Sequence, residues 1–192
     1  ERQRDAVRSA GLQAGLHVER VLTEPTAAAL SYGERSVLDG KKIMVVDLGG
    51  GTFDVSILEV HGDVYQVLAT GGDAFLGGVD FDACIVEMLV KAFLQAYDVD
   101  VRNDPVALNK LFSLAEKAKR ALSEHSHTMV ELDHLVVEGR AALELSVPLH
   151  RSEVERAFRP LIEQCLKLCF ETCGKAGMRP VQVQEILLVG GQ

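Results

Sequence analysis

Asp47-Leu48-Gly49-Gly50-Gly51-Thr52-Phe53-Asp54 sets two carboxylates and a hydroxyl around three glycines, between the β-rich runs Ile43-Met44-Val45-Val46 and Val55-Ser56-Ile57-Leu58-Glu59-Val60. Short hairpins favour Asn-Gly or Asp-Gly pairs, and consecutive glycines cost backbone entropy that a tighter turn would avoid. The same residues suit a turn whose bare N–H groups lie against a phosphate. Asp47 and Asp54 would then stand beside it for a hard cation such as Mg2+. A glycine-rich turn alone is more often a plain connector than a phosphate site; the flanking aspartates reverse that preference. Neither G-x-x-x-x-G-K-[ST] nor a G-x-G-x-x-G that follows a strand and opens a helix is present. The chain leaves the glycines as a strand, so the expected device is a hairpin gripping phosphates from one side.

Three further segments carry candidate chemistry. Glu24 precedes Pro25-Thr26-Ala27-Ala28-Ala29; a carboxylate there can simply complement a helix dipole, while the alanines allow the close packing of a hinge. Gly71-Gly72 and Gly77-Gly78 flank Asp73-Ala74-Phe75-Leu76, and read as a flexible connector or as a second backbone wall of the phosphate pocket. Glu116, Lys119, Arg120 and Ser123 recur at i, i+3, i+4 and i+7 and share one helix face. Spacing alone favours a solvated face with a Glu116–Arg120 pair worth a few tenths of a kcal/mol. The functional alternative gives Glu116 and Lys119 to ribose hydroxyls and the Arg120 guanidinium to an adenine face.

The elements that must position these residues can be placed from periodicity and punctuation. Residues 3–15 read as helix, with Ala6, Val7, Ala10 and Ala14 on one side, followed by a short strand around His17–Leu22. Pro25 opens a helix that Gly33 stops. Strands at 42–48, 52–60 and 63–70 form an antiparallel meander through the triglycine turn and His61-Gly62-Asp63. Phe81–Tyr97 carries the helical stripe Ile85, Met88, Leu89, Ala92, Phe93. Asp104 caps a helix opened by Pro105 and running to about Ser123. Strands near Thr128–Leu132 and Leu143–Leu149 follow, then a capping box at Ser152-x-x-Glu155 opening a long helix that Pro160 should kink or delay. Glu185–Val189 is a last short strand.

With 192 residues, 47% hydrophobic and 25% charged, the chain suits a globular protein with a substantial core. A net charge of −8 argues against general nucleic-acid binding, and no apolar run approaches the roughly 20 residues of a membrane span. Both ends read as cut, so a fragment of a longer protein is expected. Cys84, Cys165, Cys169 and Cys173 lack zinc-site spacing; the last three, four residues apart, suit small apolar residues on a packed helix face in a reducing compartment.

Taken in order, D-L-G-G-G-T-F-D, E-P-T-A-A-A-L-x-Y-G, L-G-G-x-D-F-D, R-N-D-P, A-E-K-A-K-x-x-L-S and L-L-V-G-G-Q closely resemble the ATPase domain of the 70-kDa heat-shock chaperone family, DnaK type, over essentially all 192 residues. The resemblance implies an α/β, actin-like (ribonuclease H-like) fold with two lobes around an ATP cleft. Residues 1–33 would be the end of the first lobe and the hinge helix, 34–76 and 151–192 the α/β core of the second lobe, and 77–150 an inserted helical and β subdomain. It implies catalytic roles for Asp47, Thr52 and Glu24, with Asp47 near Mg2+ and the attacking water and Asp54 near Mg2+ (through water) or K+. Gly49, Gly50, Gly51 and Thr52, walled by Gly77 and Gly78, would touch phosphates. Glu116, Lys119, Arg120 and Ser123 would hold the adenosine of ATP or ADP, with Gly190 and Gly191 on its other side.

Implied partners are unfolded polypeptides bound by a domain elsewhere, a J-domain co-chaperone, and a nucleotide-exchange factor at 77–150, with no nucleic acid or membrane and a cytoplasmic location. The family's D-x-G-T-T phosphate loop and catalytic lysine would lie ahead of Glu1, so residues 1–192 alone are expected to turn over little ATP. Val79 stands where the family usually has Glu, and His134–Leu143 departs from its pattern. Two rivals stay open: an actin-like filament or sugar-kinase relative, and a relative that binds nucleotide or exchange factor without turnover.

Overall fold

The computed structural model describes residues 2–32, 38–135 and 143–192; the expected helix stop at Gly33 and residues 136–142 lie outside them. In chain order the elements are α1 (Arg2–Gln13), α2 (Glu24–Ser31), β1 (Lys42–Leu48), β2 (Phe53–His61), β3 (Val64–Asp73), α3 (Gly78–Tyr97), α4 (Pro105–Glu124), β4 (His127–Leu135), β5 (Leu143–His150), α5 (Arg151–Lys175) and β6 (Glu185–Val189), with short 3-10 turns at Val101–Asn103 and Pro180–Gln182.

The main sheet has the order β3-β2-β1-β6. The meander supplies antiparallel β3-β2-β1, and β6 returns parallel to β1 after the long α5. Period-2 alternation divides β1 and β2 cleanly. Met44, Phe53, Val55 and Ile57 pack with Cys165, Cys173 and Met178 on the α5 face. Ile43, Val45, Leu58 and Val60 pack with Ala29 and Leu187 on the α2 face. Asp47 and Asp54 are cross-strand partners, as are Val45 and Ser56. The α2 face therefore turns from apolar to carboxylate as β1 nears the triglycine turn.

A second core joins α3, α4, β4 and β5, with Ile85, Leu89, Phe93, Leu111, Ala115 and Val130 at its centre. Its entry is well punctuated. Asp104 accepts from Val106 N at 2.9 Å and Ala107 N at 3.0 Å, two of the helix-end donors that otherwise lack partners. Arg102 ties the preceding turn to α3 through Glu87 at 2.8 Å, and its hydrogen bond holds the Glu87 carboxyl below the ordinary range. Replacing Asp104 with Ala should cost about 1 kcal/mol of stability, read as a lower urea midpoint; an unmoved midpoint would count against the cap.

Two local expectations fail. Residues 16–23 are irregular rather than a strand: Arg20 and Leu22 border a cavity with Val64 and Tyr65 of β3, but the segment joins no sheet among the described residues, and a strand needs partners for its backbone groups. Nor does Ser152 cap α5, which begins at Arg151 with His150 as N-cap and no side-chain cap bond. β5 passes into α5 without a loop, so Ser152 already sits inside the first turn. Arg151 is held there by other partners, its Nε donating to Leu122 O at 2.8 Å at the end of α4. Pro160 neither breaks nor delays the helix.

Along α5, Cys165 and Cys173 are buried and Cys169 half-buried, all with free thiols. Burial pushes all three thiols above their ordinary range. They stay protonated and pack as small apolar groups against the sheet. No helix among the described residues is long and apolar enough to cross a membrane.

Candidate functional site

The triglycine turn closes through Gly49 N to Thr52 O at 2.9 Å. None of its glycines has a positive φ, so the mirror-image hairpin turns that glycine usually serves are not in use. A Cβ on Gly50 or Gly51 would meet nothing within 4 Å. Neither backbone conformation nor neighbouring protein atoms thus account for glycine at these two positions. Among the described residues, no carbonyl or side chain accepts from the N–H groups of Gly50, Gly51 or Thr52. A turn with bare donors and open space over its glycines is a cradle for an anion.

The turn is held from behind by the start of α3. Gly78 N donates to Gly49 O at 2.9 Å and Val79 N to Gly50 O at 2.8 Å. Asp80 Oδ2 accepts from Gly77 N at 2.8 Å. Gly77 packs so tightly that a Cβ there would lie 2.5 Å from Gly51 backbone atoms. The start of α3 is therefore a wall in which Gly78 and Val79 spend their N–H groups on the loop's carbonyls, leaving the loop's own N–H groups free.

Two cavities flank this loop, one reaching the strand residues Asp47 and Asp54 and the other reaching Gly50. The first, of about 500 Å³, is lined by Glu24, Thr23 and Pro25 from the start of α2, Asp47 and Val45 from β1, Asp54 and Ser56 from β2, Thr70 and Gly71 from β3, and Gln3 from α1. It brings Glu24, Asp47 and Asp54 together from three elements. The second, of about 370 Å³, is lined by Gly50, Gly78, Val79, Asp82, Glu116, Lys119, Arg120, Gly191 and Gln192. Ser123 lines an adjoining depression of about 300 Å³ that shares Lys119 and Gln192. Gly49, Gly51, Thr52, Gly77 and Gly190 line none of the three; they build the loop and its support.

Within the second cavity the charged face of α4 splits. Arg120 and Glu116 are exposed and 3.7 Å apart, the ordinary surface pair. Lys119 is instead drawn inward, 2.8 Å from Asp82 Oδ1, 3.1 Å from Gly78 O and 2.6 Å from Gln192 Oε1. Asp82 and Gln192 carry no role in the sequence reading. Asp82 lies in the L-G-G-x-D-F-D motif, four residues after Gly78 and so on the same face of α3, which was the available signal. Gly190 does not reach this cavity. It sits under the end of β1, where a Cβ would strike the Leu48 carbonyl and lie 2.8 Å from Asp47 Oδ1.

The donor chemistry fits a nucleotide carrying Mg2+. Carboxylates are the hard oxygen donors that Mg2+ prefers, and that ion keeps most of its waters and takes few protein ligands. Among the described residues no three His, Cys, Asp or Glu side chains converge tightly enough to cage a metal by themselves. The first cavity thus suits a hydrated ion carried in by phosphates, with Asp47 and Asp54 as partners of its waters, and the bare N–H groups suit the phosphates themselves. Against this geometry stands one comparison: a family model described as Hsp70 protein matches residues 1–192, and the chain belongs to that family.

Proposed function

We propose that this chain forms one lobe of the ATP-binding and ATP-hydrolysing domain of a molecular chaperone, in which nucleotide turnover controls the binding and release of unfolded polypeptide elsewhere in the protein. Membership of the Hsp70 family supports a chaperone ATPase with an actin-like fold, and the mixed α/β sheet fits it. The observation that carries the site assignment is the triglycine turn with its free N–H groups, flanked by Asp47 and Asp54 of a carboxylate-lined cavity and reaching through Gly50 a cavity lined by Asp82, Glu116, Lys119 and Arg120. Residues 1–33 read as hinge, 34–76 with 151–192 as lobe core, and 77–150 as an inserted subdomain that a nucleotide-exchange factor would grip. A J-domain co-chaperone and unfolded clients complete the partners of that reading.

The division of labour follows from phosphoryl-transfer chemistry, where positioning and charge neutralisation do most of the catalysis. Gly50 and Gly51 would present N–H groups to the terminal phosphates, and Thr52 its N–H together with its side-chain hydroxyl. Asp47 and Glu24 face one another's cavity and would orient the attacking water. Glu116, Lys119, Arg120, Ser123 and Gly191 would hold adenosine. Mg2+ would supply charge neutralisation between the phosphates, with K+ a second candidate beside Asp54.

Residues 1–192 alone should turn over ATP slowly, since they contain no D-x-G-T-T loop to form the facing half of a phosphate clamp. In the full-length protein, ATP binding and steady-state release of phosphate test the assignment. Thr52→Ala should lower turnover about tenfold or more, the scale of one lost oriented polar group. Turnover unaffected by that change sinks the role given to Thr52. ATP binding without any turnover in the unaltered protein would favour a binding module over an ATPase.

A further inference from the structure

The Lys119 ammonium has three N–H donors and no acceptor, and it meets three oxygens on two segments, donating hydrogen bonds to Gly78 O and Gln192 Oε1 and pairing as an ion with Asp82. Asp82 Oδ1 lies at 2.8 Å, Gly78 O at 3.1 Å and Gln192 Oε1 at 2.6 Å. These partners are not equivalent. Gly78 O is backbone at the start of α3, fixed by the bond from Gly78 N to the triglycine turn. Asp82 is buried, and its Oδ1 is shut off from solvent with no partner besides this ammonium among the described residues. Gln192 is exposed and holds on through a flexible side chain. With Gly78 O fixed in the backbone, Gln192 is the side-chain arm that can leave without stranding a buried charge, which is costly.

All three arms border the same cavity, with Glu116 and Arg120 on its open side. We propose that Asp82 is the positioning residue of this cavity, holding Lys119 where a nucleoside hydroxyl binds, and that the Gln192 amide oxygen occupies that hydroxyl's place. This rests on the nucleotide reading of the site. A ligand hydroxyl accepts from Lys119 as the amide oxygen does, so exchange of one for the other keeps the number of hydrogen bonds from the ammonium unchanged. Nucleoside arrival therefore releases the Gln192 side chain, while the ammonium stays on α3.

The mechanism separates nucleoside from phosphate recognition, and the test uses that separation. In the full-length protein, calorimetric affinities for ADP and for inorganic triphosphate are compared across Lys119→Met, Asp82→Asn, the double variant and Gln192→Ala, each checked for folding by thermal melting. Asp82→Asn should weaken ADP about ten- to a hundredfold, the scale of one charge-assisted hydrogen bond. Triphosphate binding should stay within about twofold, because nothing at the triglycine turn depends on the Asp82 charge. The double variant should bind ADP no more weakly than Lys119→Met. It also lacks the stranded charge, so it remains informative if Asp82→Asn alone folds poorly. Gln192→Ala should bind ADP as tightly as the parent or a few-fold tighter.

Equal losses for ADP and triphosphate in Asp82→Asn would overturn the proposal, as would full ADP affinity in that variant when Lys119→Met is weakened. A tenfold loss in Gln192→Ala would overturn the exchange. If Lys119→Met binds ADP normally, the proposal and the nucleoside reading of the cavity both fail, a pattern none of the other outcomes produces.

Discussion

Gly190→Ala should lower stability by about 3 kcal/mol and weaken ATP binding by roughly two orders of magnitude, the sum of a strained backbone and an overfilled site. Gly190 has φ near +98°, a region that side-chain-bearing residues rarely enter. Its Cβ would strike the Leu48 carbonyl oxygen, approach the Leu48 carbon to 2.6 Å and lie 2.8 Å from Asp47 Oδ1. Retreat is blocked, because β6 is locked in parallel register with β1, Val189 opposite Asp47. The clash must therefore be absorbed by the end of β1, which carries Asp47 and leads into the phosphate turn. Gly191 supplies the control. Its φ is not positive and a Cβ there meets open space, so Gly191→Ala should fold normally and lose only what a ligand needs. Denaturant melts and ATP titrations of the two variants decide the matter; a Gly190→Ala protein with parental stability and affinity would refute the packing argument.

Those two adjacent glycines also show where sequence reasoning stops. The motif led to the expectation that both final glycines lie beside adenosine. That one glycine faces a cavity while the other is wedged under β1 depends on the parallel β1–β6 pairing, which joins residues more than a hundred positions apart. The same holds for α4. Its start was legible because Asp104-Pro105 is a local signal, and its charged face because of helical period. The inward turn of Lys119 was not, since its partner Asp82 lies on another helix, and an ion pair across elements leaves no periodic trace. The failed strand at 16–23 and the failed cap at Ser152 share a cause: both patterns were locally plausible, and the presence or absence of a neighbouring chain decided against them. The triglycine turn was read as a hairpin with a use beyond turning the chain, and β1 and β2 do pair antiparallel across it. The reason became concrete only with its negative φ values and its unused N–H groups.

Asp47→Asn should reduce ATP turnover by about two to three orders of magnitude, the usual consequence of removing a preorganised electrostatic group, while leaving ADP affinity within about tenfold. The two side chains are nearly the same shape, so the cavity should persist. Asp47 and Asp54 face each other across β1 and β2, and among the described residues no cation pairs with either. Like charges directly opposite on a sheet destabilise it. Neutralising one should thus leave the melting temperature unchanged or raise it slightly, by a few tenths of a kcal/mol. That combination distinguishes a chemical role from a structural one, because a carboxylate serving the fold would take stability down with activity. Single-turnover hydrolysis by the full-length protein, measured beside ADP binding and thermal melting without Mg2+, reads all three quantities. Lost stability in step with lost turnover would assign Asp47 to the fold. Unchanged turnover would remove it from the catalytic set and leave the chain a nucleotide-binding module.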